Sequence, residues 1–175
     1  VTDTALQLKP IPQYTERGIP LLRKIWDAIL ADESAWNQGT WIGTACDEDG
    51  VPDRLTPQVI DYIQTNQVPP WNCGTAYCVA GHAALATGAK LTPYQVAAVE
   101  RRYLETDTVV VNGQEWPVED YAADVLDLDG SQASVLFAGH NTKEVITALV
   151  EALEADPCAD LYAVREDYWA EHDEA

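Results

Sequence analysis

Basic residues are scarce in this chain. Ten Lys and Arg stand against 29 Asp and Glu in 175 residues, a formal net charge of −19 with a pI near 4.1. Binding to phosphate or anionic lipid depends on Lys and Arg displacing counterions, so direct nucleic-acid or membrane binding is not expected. Long apolar runs are also missing. The longest stretch without a charged residue, Tyr62 to Ala89, is broken by Pro69, Pro70 and several Asn, Thr and Gln, and its apolar part falls short of the roughly 20 residues that cross a bilayer. Val1 to Leu8 holds neither a basic start nor an apolar run, so no secretory signal is read there. Cysteine is sparse and irregularly placed, at 46, 73, 78 and 158, which argues against a disulfide framework and for reduced thiols in a cytoplasmic protein. Phosphate-binding glycine loops, serine nucleophile elbows, His-Glu-x-x-His and kinase signatures are absent from the sequence. No cofactor is expected.

What is present suits a packed core. The hydrophobic fraction is 47%, with six Trp and eight Tyr, and a chain of this length buries about 70% of its unfolded surface. The expectation is a single domain over residues 1–175. Leu21, Leu22, Ile25, Trp26, Ile29 and Leu30 recur on one helical stripe after Pro20. Trp36 to Asp53, rich in Gly, Asn and Asp, reads as a long surface loop. Thr56-Pro57 and Thr92-Pro93 each offer an N-cap followed by Pro at the first helical position, the second opening a helix through about Tyr103. Ala76, Ala80, Ala83 and Ala84 make a smooth stripe in a central helix over Thr75 to Ala86, stopped by Gly88. Thr108 to Val111, Asn112-Gly113 and Gln114 to Val118 predict a β-hairpin with a type I′ turn. Further helices are predicted over Pro117 to Leu126, over Ser131 to Ala138, from an Asn141 cap with Glu144 at N3, and from about Asp160. The fold class is mainly α, with about seven or eight helices, one β-hairpin and an acidic C-terminal helix and tail from about residue 158.

The most distinctive string is Trp71-Asn72-Cys73-Gly74-Thr75-Ala76-Tyr77-Cys78-Val79-Ala80-Gly81-His82-Ala83-Ala84. It resembles a motif of uncharacterised small proteins of actinobacteria and their phages, in which a Trp lies shortly before a Cys-Gly-Thr-x-x-Cys-x-Ala-Gly-x-Ala run. The resemblance covers about 14 of the 175 residues and implies an actinobacterial or phage background without a function. An aromatic often stands in that motif where this chain has His82, so the resemblance does not imply an obligatory role for the histidine.

Chemistry in this string would rest on one thiol. Cys73, read as lying just before a helix, is where unpaired N–H groups and the helix dipole lower a thiol pKa. A thiolate nucleophile needs an acid–base partner within about 3 Å. In a continuous helix His82 would stand roughly 13 Å away, leaving His140 or His172 as the partner, with Cys73 and His140 the candidate pair of a cysteine-dependent hydrolase or transferase. The same separation keeps Cys46, Cys73, Cys78 and His82 from converging on zinc. Asp47, Asp49 and Asp53 cluster around Gly50 as calcium loops do, yet Ala45 and Thr56 fill the first and twelfth EF-hand positions, where acids are required. The cluster is a weak calcium candidate at most. Asp129 or Ser131 is expected to cap the following helix.

Charge is unevenly spread. Residues 151–175 carry nine acids and the single base Arg165, whereas residues 74–103 carry Lys90, Arg101 and Arg102 against Glu100. Without a catalytic constellation, the expected function is non-enzymatic: an acidic accessory or inhibitory protein that binds a protein partner with a basic surface, in its narrowest form a nucleic-acid mimic. Glu154, Asp160, Glu166, Asp167, Glu171, Asp173 and Glu174 are the candidate binding residues. A virion or assembly component, associating through apolar surface, is the other alternative to the Cys73 enzyme.

Overall fold

The structure, a computed structural model, describes residues 8–33, 36–44, 54–71 and 75–172. Within them run eight α-helices, as expected of a mainly α protein: α1 Gly18–Ala31, α2 Pro57–Asn66, α3 Val79–Ala86, α4 Pro93–Ala98, α5 Val118–Val125, α6 Gly130–Leu136, α7 Lys143–Ala155 and α8 Leu161–His172. Five short strands accompany them: β1 Ile42–Thr44, β2 Thr75–Tyr77, β3 Glu105–Thr106, β4 Thr108–Val111 and β5 Gln114–Pro117. No described helix is long and apolar enough to cross a membrane.

The centre is α3, in which all eight residues are buried. It packs against α1 on one side and α5 on the other; α1 in turn meets α7, and α8 lies across α6 and α7. The α1 stripe is buried from Leu21 to Ile29, whereas Leu30 lies 42% exposed at its edge. Each fully buried Leu or Ile of this kind contributes roughly 1.5–3 kcal/mol. Trp26 Nε1 donates to Thr147 Oγ1 at 3.0 Å, tying α1 to α7. The predicted hairpin is present: β4 pairs antiparallel with β5, and Asn112 (φ 52°) and Gly113 (φ 80°) supply the positive φ at both central residues that a type I′ turn requires.

Local chemistry accounts for the helix starts. Thr56 accepts from Val59 N ahead of Pro57. Thr92 and Gln95 form a reciprocal capping box, and Asp129 does the same with Gln132. One expected cap lies a residue away: Thr142, not Asn141, accepts from Val145 N. The buried Asn141 side chain instead donates to the Val135 and Leu136 carbonyls at the end of α6. The helix opened by Thr92 ends at Ala98 and tightens into a 3₁₀ turn, Val99–Arg101, stopped by Arg102 at φ 67°, short of Tyr103.

The largest departure from the sequence reading concerns the two segments read as loop and helix. Ile42–Thr44, inside the expected surface loop, is a buried strand and the middle of a three-stranded antiparallel sheet ordered β2-β1-β3. The expected helix from Thr75 is a strand over Thr75–Tyr77, paired Ile42 with Tyr77 and Gly43 with Ala76, and helix begins only at Val79. The alanine spacing that suggests a helix at Ala76 is outweighed by the ladder with β1, which gives Tyr77 a fully buried place. The chain leading into β1 and the helix meet closely: a Cβ on Gly81 would stand 1.8 Å from the Trp41 carbonyl oxygen.

Candidate functional site

The strand-then-helix path through residues 75–86 changes the chemistry available there. Cys78, not Cys73, is the N-cap of α3. Its Sγ accepts from Gly81 N at 3.4 Å and lies 3.8 Å from the Trp41 carbonyl. Gln38 Oε1 accepts from Val79 N at 3.3 Å while its Nε2 donates to Leu136 O. The first-turn donors of α3 are thus occupied from within the fold, and they leave no anion-binding end. Burial pushes the Cys78 thiol up to about 12, so it stays protonated at neutral pH, the opposite of an activated nucleophile.

His82 is buried on α3, its ring edge-on to Trp71 at 4.7 Å and to Tyr77 at 4.9 Å. This is an aromatic cluster in the core. His140 is exposed in the connection between α6 and α7 and rests against the Trp169 ring at 5.8 Å, which makes it part of the seat of α8. Cys46, Cys73, Asp47, Asp49, Asp53, Asp173 and Glu174 lie outside the described residues. The reason for placing Cys73 at a helix start does not survive, because α3 begins six residues later, and the separation from His82 reckoned along a helix falls with it. No group of three or more His, Cys, Asp or Glu that could hold a metal occurs among the described residues.

The acidic candidates divide into two sets. Glu154 is partly exposed and pairs with Arg23 of α1, whose guanidinium grips both carboxylate oxygens (Nε to Oε1 2.9 Å) and holds the carboxyl below its usual range. Asp160 caps α8, accepting from Tyr162 N at 3.1 Å and Ala163 N at 3.2 Å. Both serve the fold. Glu166, Asp167 and Glu171 are exposed at i, i+1 and i+5, one outward stripe of α8. The opposite side holds the helix in place: Leu161 is buried, and Val164, Tyr168 and Trp169 pack on the core. Arg165, the one base of α8, is drawn under the helix between the Tyr162 and Trp169 rings, its guanidinium carbon 5.4 and 4.9 Å from their centroids. It reaches only the edge of the stripe, 4.0 Å from Glu166. Gln132 Nε2 donates to the Pro157 and Ala159 carbonyls, fixing the turn into α8.

A second surface was not singled out by the sequence reading, although the positive balance of residues 74–103 was its trace. Tyr94 (76% exposed) and Tyr103 (44%) flank a shallow cavity of about 240 Å³ lined also by Gln95, Ala98, Arg101, Leu104 and Glu105. A separate, more polar hollow of about 450 Å³ lies between Gly39–Trp41 and Glu105–Asp107.

Comparison with known proteins found no match to a family model, to a curated protein or to a solved structure.

Proposed function

We propose that the protein is a non-enzymatic acidic binding protein that docks the outward stripe of α8 on a basic surface of a protein partner. The observation that carries this reading is the construction of α8: an apolar inner side anchors it on α6 and α7 while Glu166, Asp167 and Glu171 face outward and the lone arginine is engaged by aromatic rings. Charges presented this way on a fixed element lose little conformational freedom on docking and steer encounter with a basic surface. Nucleic-acid mimicry is the narrower form. Successive turns of a helix lie about 5.4 Å apart, whereas one DNA strand carries a charge per about 3.4 Å, so a mimic would draw on acids of α7 such as Glu151 beside those of α8.

The test is affinity capture from a cell lysate at low and raised salt, using the wild-type protein and a Glu166→Gln/Asp167→Asn/Glu171→Gln variant. The reading expects proteins held by the wild type at low salt and released both by salt and by neutralisation of the stripe. Retention indifferent to salt and to the substitutions contradicts it and indicates an apolar interface.

A further inference from the structure

The bases of this chain are spent unevenly. Arg17, Arg23, Lys24, Lys143 and Arg165 stand in ion pairs with carboxylates. Arg54, Arg101 and Arg102 are exposed and make no ion pair among the described residues. They also belong to one region: the Arg102 carbonyl accepts from Leu55 N at 2.9 Å, which places the backbone of Arg54 beside the 3₁₀ turn that carries the other two. In a protein of charge −19, three arginines of one region without an ion pair among the described residues are a candidate surface for an acidic partner.

The surroundings give that surface its form. Tyr94, Ala97, Ala98 and Arg101 recur at i, i+3, i+4 and i+7 and so share one face of α4 and its continuation. Helix α4 buries none of its residues, and on this face Tyr94, Ala97 and Arg101 are exposed among the described residues. Two carboxylates of the described residues belong to this region. Glu100 is turned to Gln64, whose Nε2 donates to it at 3.4 Å, and Glu105 stands on β3 at the edge of the 240 Å³ cavity.

We propose that this surface of one copy receives the α8 stripe of a second copy, in a head-to-tail association. The inference rests on the reading of α8 as the docking element and names one basic surface that fits it. Charge complementarity carries the choice of occupant: Glu166, Asp167 and Glu171 supply carboxylates that Arg54, Arg101 and Arg102 do not find among the described residues. Tyr162, 55% exposed and one turn before Glu166, supplies an aromatic ring to set against Tyr94 and Tyr103. The two surfaces are different parts of the molecule, so the contact is heterologous and adds copies in a row unless the rotation closes a ring. Repulsion between two strongly negative molecules opposes it. At an ionic strength of about 0.15 M, distant charges are screened beyond about 8 Å while contacting groups still attract, and association is strongest near that condition.

Sedimentation velocity from micromolar to millimolar protein at this ionic strength is the test, with two charge-reversal variants: Arg101→Glu/Arg102→Glu, and Glu166→Arg/Asp167→Arg/Glu171→Arg. The wild type is expected to gain mass with concentration. Each variant alone should associate at least about tenfold more weakly, with an unchanged far-UV circular dichroism spectrum, and an equal mixture of the two should associate again, because each supplies the surface the other lost. A wild type that stays monomeric throughout, or an association untouched by either reversal, overturns the inference. A monomer that still captures a foreign partner through α8 would sink self-association alone; loss of salt-sensitive capture would sink the reading of α8 beneath it.

Discussion

Gly81→Ala tests the close approach of α3 to the chain leading into β1, on which the centre of the fold depends. Two effects of opposite sign compete. Alanine favours a helix interior over glycine by about 1 kcal/mol, so propensity alone makes the variant more stable. Against this, the new methyl would sit 1.8 Å from the Trp41 oxygen, 3.0 Å from its carbonyl carbon and 3.1 Å from Tyr77 Cβ. The first of these is more than an ångström inside any ordinary contact, and the obstacle is backbone, which cannot swing aside. Relief requires parting that chain from α3, which lengthens the 2.6 Å bond from Cys78 N to Thr40 O and disturbs a helix buried on every face. Overpacking of a core costs about 1–3 kcal/mol, and more where nothing yields. Taking about 3 kcal/mol for the clash and returning about 1 for propensity leaves a net loss of about 2 kcal/mol or more. Urea unfolding followed by tryptophan fluorescence reads it directly. Gly130→Ala is the control: it lies in the first turn of α6, and its Cβ would meet nothing within 4 Å, so a gain of up to about 1 kcal/mol is expected. A Gly81→Ala protein as stable as wild type, or more so, refutes the reasoning; loss of folded protein while Gly130→Ala remains folded supports it.

Other consequences are open to simple measurement. In the native protein iodoacetamide should label the exposed Cys158 quickly and the buried Cys78 only on unfolding; fast labelling of Cys78 would contradict its role as a cap. Because burial raises the Cys78 thiol from 9.0 to about 12, the unfolded chain releases its proton first as pH rises, so stability declines across that window. The decline should be steeper in wild type than in Cys78→Ala. Gln67, exposed and left-handed at the end of α2 (φ 60°), pays a backbone cost that glycine avoids, so Gln67→Gly should raise stability by about 1 kcal/mol, or about 2–4 °C in melting temperature. Glu154→Gln should cost under about 1 kcal/mol at neutral pH, since the pair with Arg23 is partly exposed. Arg23 lowers the Glu154 pKa, so that stabilisation is present above the ordinary carboxylate range and is lost as pH falls through it; the gap between variant and wild type should close in acid.

Elements with their own chemical punctuation were legible in the sequence. Thr56-Pro57, Thr92-Pro93 and Asp129 start helices where the capping logic placed them, and Asn112-Gly113 turns the hairpin. The three-stranded sheet was not legible, because its strands are two or three residues long and pair across distant positions: Ile42 with Tyr77 and Thr106. No local period records such a ladder. Cys78 was missed as a cap because sulfur is a weak acceptor and alanine spacing extended the apparent helix upstream. Among the acids, composition identified the charged end of the chain. Only coordinates separate Glu154 and Asp160, which serve Arg23 and the start of α8, from Glu166, Asp167 and Glu171, which face outward. The arginine surface escaped notice because Arg54 is far in sequence from Arg101 and Arg102 and joins them through one backbone bond.

The reading of α8 as a docking element is tested most directly by the affinity of a captured partner across a series of salt concentrations, for wild type and for Glu166→Gln/Asp167→Asn/Glu171→Gln. Binding that weakens steeply with salt in the wild type, and is both weaker and less salt-dependent in the variant, is the predicted result. Equal affinity and equal salt dependence in the two proteins would contradict it.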